Sequence, residues 1–76
     1  MPRLPTVDWK TLKRIFELDG FTQEREKASH ISMVKPGVHR PIIIPKYDEI
    51  GLDIIHSNMR TAGMSRDRFL ELHAQV

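Results

Sequence analysis

Residues 21–45 read FTQEREKASHISMVKPGVHRPIIIP, and this stretch decides the fold. From Ser29 to Lys35 the side chains alternate: Ile31 and Met33 fall on one side, His30 and Ser32 on the other. That two-residue period is the signature of a half-buried strand. Lys35-Pro36-Gly37-Val38-His39 supplies the backbone angles of a turn. Arg40 to Pro45 follows, with Ile42-Ile43-Ile44 as a strongly β-forming run. Pro41 cannot donate to a ladder, so this strand is expected at an edge or with a frayed start. Upstream, the polar segment Phe21 to Lys27 reads as a first, exposed strand. The short connections join the three strands as an antiparallel meander.

Working outward, Thr6 to Asp19 reads as a helix, with Thr6 as its cap and Asp8 near the positive end. Trp9, Leu12, Ile15 and Phe16 recur at helical spacing, which assigns Trp9 and Phe16 to the core rather than to a stacking surface. Gly20 is a natural stop. Beyond the sheet, Asp53 is the expected cap of a helix through Ala62 that ends at Gly63. Ile55, Met59 and Ala62 line one of its faces, with Ile54 beside them. Ser65 caps a last helix carrying Phe69, Leu70 and Leu72. The order is α-β-β-β-α with an added C-terminal helix, which implies a two-layer α+β sandwich over residues 1–76 as one domain.

Composition narrows the classes. Seventy-six residues allow one small core. No cysteine is present, which excludes disulfides and thiolate metal sites and fits a reducing cytoplasm. No apolar run approaches the ~20 residues that span a bilayer, and Met1-Pro2-Arg3-Leu4-Pro5 has no signal-peptide core. The net charge of +2 favours polyanions weakly. Its distribution says more: Arg25, Lys27, Lys35, His39, Arg40 and Lys46 lie near the centre, and between Arg25 and Arg40 the only acid is Glu26. On charge alone, a merely solvated sheet face accounts for the pattern.

His30 carries the chemistry. Histidine is the side chain best suited to move a proton near neutral pH, and on the polar face of a basic domain it can reach a phosphate. From the residues alone it reads equally well as a catalytic group or as an exposed strand histidine without a role. His39, His56 and His73 read as surface residues. No two histidines share a metal spacing with a carboxylate, and there is no P-loop, dinucleotide fingerprint or nucleophile elbow.

An ordered set of segments resembles the HicA family of toxin–antitoxin modules. The segments are Leu18-Asp19-Gly20-Phe21, Ala28-Ser29-His30, Ile42-Ile43-Ile44-Pro45, Met59-Arg60-Thr61-Ala62-Gly63-Met64-Ser65 and Phe69. Members are small messenger-RNA interferases on a fold like the double-stranded-RNA-binding domain. The resemblance implies that fold, a metal-independent endoribonuclease, RNA as substrate and a HicB-type antitoxin that covers the basic face. It places His30 at the family's catalytic histidine. Where the family usually has glycine this chain has Ala28, and a glycine-type positive φ there would cost about 1 kcal/mol or more. Tyr47 stands where the family commonly has a second histidine, and Asp53-Ile54 where it often has glycine-threonine.

Cleavage of this kind needs a proton taken from the 2′-hydroxyl, a proton given to the leaving 5′-oxygen, and cations near the phosphate. His30 can serve one proton transfer. Arg25, Lys27, Arg40 and Lys46 are candidates to hold phosphate, Ser29 to position a water or phosphate oxygen, and Tyr47 to donate a hydrogen bond. Two other readings stand beside this one. The same fold could bind RNA without cutting it, or it could extend a partner's sheet through Ile43 and the hairpin edge.

Overall fold

Asp8, not Thr6, starts the first helix. The computed structural model describes residues 3–76, so the N-terminal reading at Met1 and Pro2 lies outside the described residues. Helix α1 spans Trp9–Leu18, and the Asp8 carboxylate accepts from the Thr11 N–H at 3.2 Å. Thr6 is used elsewhere: its hydroxyl donates to Glu49 at 2.8 Å, while Val7 forms an isolated antiparallel bridge with Ile50. That bridge keeps the chain extended through Val7, so the helix begins later than expected. Leu12, Ile15 and Phe16 are fully buried. Trp9, expected in the core, is only half-buried. The helix closes at Gly20, whose φ of 100° only glycine adopts at low cost, and Phe21 returns to pair edge-to-face with Phe16 at 5.3 Å.

Three strands follow: β1 Thr22–Glu26, β2 His30–Val34 and β3 Ile42–Pro45. They form one antiparallel sheet in the order β1-β2-β3. Each is slightly shorter than the sequence suggests. Arg40 and Pro41 stay outside β3, in keeping with the ladder donor that proline lacks. Opposite His30 stands Pro45, opposite Ile31 stands Ile44, and opposite Met33 stands Ile42. Ile31, Met33, Ile42 and Ile44 therefore share the core face and are buried, while Ile43 is 45% exposed on the other. Strand β1 has a bulge between Gln23 and Arg25, and all five of its residues are exposed.

Helix α2 spans Leu52–Ala62 and packs on β3. Its cap is Gly51, with no side-chain hydrogen bond; Asp53 sits instead in the first turn, where its charge meets the positive helix end. Gly63 ends it in the left-handed conformation, as the sequence predicts. Ile55 and Met59 are buried as expected, but Asn58 joins them and Ala62 is only half-buried. Ser65 caps α3, Arg66–His73, by accepting from the Arg68 N–H at 3.1 Å. Phe69 and Leu72 fill the core beside α1. Asp19, at the end of α1, accepts from Arg68 at 3.1 Å and from Lys35 at 3.4 Å, tying α1 to α3 and to the end of β2. The helices cover one face of the sheet and leave the face of His30, Ser32 and Ile43 outward. The architecture is the expected α+β order with its extra C-terminal helix.

Candidate functional site

The tight connection between β1 and β2 presents His30. Lys27 N–H donates to the His30 carbonyl at 2.8 Å, which leaves Ala28 and Ser29 as a two-residue loop. Among the described residues no residue other than glycine has positive φ, so Ala28 fits this loop without the strain that a glycine-type bend would impose. Across the sheet, Lys46 N–H donates to the Ser29 carbonyl at 2.9 Å and holds the loop against the end of β3.

His30 is half-buried, and its Nδ1 lies 3.1 Å from the Ser29 hydroxyl. A hydroxyl both donates and accepts, so Ser29 suits either protonation state of the ring. It donates to a bare Nδ1 when Nε2 carries the proton, and it accepts from Nδ1–H both in the neutral tautomer that leaves Nε2 bare and in the imidazolium. In each case the bond fixes the ring's orientation. The outer nitrogen, Nε2, has no hydrogen bond among the described residues.

The outward neighbours follow from register. Arg25 stands opposite Ser32, two residues along β2 from His30. Lys27 flanks the loop and is exposed. Neither Arg25 nor Lys27 has an ion-pair partner among the described residues. Tyr47 is two residues past Pro45, the register partner of His30, and is 54% exposed at the same end of the sheet. Its backbone carbonyl accepts from the Trp9 N–H at 3.1 Å, which fixes that segment to the start of α1. Ser32 is buried beneath the bulged edge of β1, its hydroxyl 3.5 Å from Glu24.

Two of the sequence candidates lie apart from this group. Alternation from Pro45 turns Lys46 toward the helices. Its ammonium meets Glu26 at 2.6 Å and sits 5.4 Å from the centre of the Trp9 ring. The Lys46 hydrogen bond, with a second from Gln23, holds the Glu26 carboxyl below its usual pKa. Lys46 thus staples β1 to β3 over α1. Arg40 lies at the opposite end of the sheet, just before β3. There it lines an open cleft of about 470 Å³ together with His39 and Arg60. In the sequence Arg60 is only one residue of the Met59–Ser65 segment. Its nearness to Arg40 depends on how α2 lies along β3, which no local pattern announces. Among the described residues no three His, Cys, Asp or Glu side chains converge as a metal-binding group, and no helix is long and apolar enough to cross a membrane.

A helix-backed meander with a histidine held at a hairpin mouth defines a small α+β domain with one open, partly basic sheet face. A family model described as "HicA toxin of bacterial toxin-antitoxin" matches residues 9–64, about three quarters of the chain. The chain belongs to that family and is accordingly a toxin of a toxin–antitoxin module, with an antitoxin as partner. The matched segment runs from the start of α1 to just past α2, so α3 lies beyond it. No curated protein and no solved structure matches.

Proposed function

We propose that this chain is an endoribonuclease that cleaves messenger RNA in the cytoplasm without a metal, and that a HicB-type antitoxin neutralises it by covering the face of His30. One observation carries the reading: His30 is oriented through Nδ1 by Ser29, and among the described residues neither its Nε2 nor the neighbouring cations Arg25 and Lys27 have a partner.

In the reaction the 2′-oxygen attacks the adjacent phosphorus and the bond to the 5′-oxygen breaks. A 2′,3′-cyclic phosphate and a 5′-hydroxyl result. His30 either takes the 2′-proton at Nε2 or protonates the leaving oxygen from it, and Ser29 accepts from Nδ1–H in both charge states, which keeps Nε2 as the reacting nitrogen. Arg25 and Lys27 offset charge on the phosphorane-like transition state. Tyr47, exposed at the same end of the sheet, donates a hydrogen bond to the phosphate in this reading. A single general acid or base of this kind contributes about 10²–10⁴-fold, or roughly 3–5 kcal/mol.

The test is purified protein with single-stranded RNA in the presence of chelator. Fragments with 5′-hydroxyl ends are expected, and His30→Ala should lower the rate about 10²–10⁴-fold while leaving RNA affinity nearly unchanged. Binding without cleavage by the wild type would replace this reading with a non-catalytic RNA-binding module of the same fold. Failure to bind RNA even at low salt would leave a protein-interaction domain.

A further inference from the structure

The cleft at the far end of the sheet is the second basic feature of the molecule. It lies between the turn leading into β3 and the last turn of α2, and His39, Arg40 and Arg60 supply its polar chemistry. Arg40 and Arg60 are both exposed, and neither has an ion-pair partner among the described residues. Five other cations are committed: Lys13 and Arg14 to Glu17, Lys35 to Asp19, Lys46 to Glu26 and Arg68 to Asp19. Two guanidiniums without a carboxylate partner among the described residues, lining one cleft, suit a phosphate.

This cleft continues along the edge of β3. A second depression shares Arg40 and Thr61 with it and runs past Ser57 and Asn58 to Ile43. Asn58 is buried, and its amide nitrogen has no hydrogen-bond partner among the described residues. Such a donor is normally satisfied, and an acceptor entering the groove is what its surroundings lack. Asp53 is the one carboxylate that lines either depression. The groove ends at Ile43, two residues from Pro45, and Pro45 stands opposite His30. The exposed Ile43 side chain thus lines the groove and shares the outward face of the sheet with His30.

We propose that this groove binds the same RNA strand that His30 cleaves, with Arg40, Arg60 and His39 holding a phosphate remote from the cut. The inference rests on the ribonuclease reading and adds a substrate requirement: a single-stranded run of several nucleotides. The four residue steps from His30 to Val34 cover about 13 Å, with the turn beyond. At about 3.4 Å per stacked nucleotide, that span corresponds to about four. Ile43 offers apolar contact to a base in between.

The experiment uses the full chain carrying His30→Ala, so that RNA stays intact, and follows a labelled single-stranded octanucleotide by fluorescence anisotropy across a salt series. Arg40→Gln/Arg60→Gln is compared with Lys13→Gln/Arg14→Gln, which removes equal charge from the outer side of α1. All chains are checked for equal thermal melting. The cleft variant should bind roughly tenfold more weakly, with a salt slope lower by about 0.7 for one phosphate contact on a single strand. The α1 variant should stay within about twofold of the parent. Equal weakening of both variants would reduce the cleft to bulk charge, and no weakening of the cleft variant would remove RNA from it; either result overturns the proposal while the ribonuclease reading survives. If the parent chain binds no RNA at any salt, both fall together.

Discussion

Gly20 and Gly63 both have positive φ, yet replacing them with alanine should have unequal consequences. Gly63 sits at φ 67° and ψ 28°, inside the left-handed region, and a methyl group there meets no atom within 4 Å. Placing alanine in that region costs roughly 1–2 kcal/mol. The stiffer unfolded chain returns about 0.4–1 kcal/mol, so the net loss is about 0.5–1 kcal/mol. Gly20 sits at φ 100°, well outside that region, and its methyl would touch the Lys35 Cε at 3.4 Å. The lysine tip can yield, but the backbone is pinned: Gly20 N–H donates to Glu17 and Phe21 N–H to Phe16. Strain of this kind costs about 1–3 kcal/mol, so after the same entropic return the net loss is about 1–2 kcal/mol. For a domain this small each kcal/mol lowers Tm by about 4–8 °C. Thermal and urea melts by circular dichroism should therefore rank wild type above Gly63→Ala, and Gly63→Ala above Gly20→Ala. Asparagine should be tolerated at position 63 and not at 20, because it visits the left-handed region but not φ near 100°. If Gly20→Ala melts at or above Gly63→Ala, the exit from α1 is not pinned as described.

Phe16→Ala removes a fully buried ring and its edge-to-face partner, and should cost about 3–5 kcal/mol, read from the urea midpoint at unchanged slope. Asp8 and Glu26 are held below their usual pKa values, Asp8 first by its Thr11 hydrogen bond and Glu26 first by Lys46. A carboxylate lowered on folding contributes stability above its unfolded value and loses it as pH falls through the folded one. Tm should thus hold steady above about pH 5 and decline below about pH 4, and Glu26→Gln should flatten part of that decline. Ser29→Ala should keep RNA affinity and lower the cleavage rate about fivefold, the equivalent of one hydrogen bond of about 1 kcal/mol that orients the ring.

Much of the architecture is legible because the local signals agree. The alternation around His30, the isoleucine run, Gly20, Gly63 and Ser65 all speak for elements that the fold contains. The misreadings have a common physical source, which is competition settled by a distant residue. Thr6 and Asp8 are both good caps, and the bridge from Val7 to Ile50 decides between them. Trp9 lies on the apolar stripe, yet it ends half-buried beneath Lys46, which approaches from the end of β3. Lys46 itself reads as one more cation near the histidine until register is known. Once Pro45 faces His30, alternation turns Lys46 to the other side. Arg40 and Arg60 are twenty positions apart in the chain, and only the packing of α2 on β3 brings them to one cleft.

The two outer strands bear on what happens to the toxin once its antitoxin is gone. A three-stranded open sheet has two free edges, and free edges invite pairing with further copies. Here both are blunted. Strand β3 is four residues long, with Pro41 before it and Pro45 at its end. Strand β1 is bulged and bears Glu24, Arg25 and Glu26 in succession. Neither edge is a flat, apolar template for another chain. Edges of this kind disfavour strand-by-strand addition of further copies whenever the partner is absent.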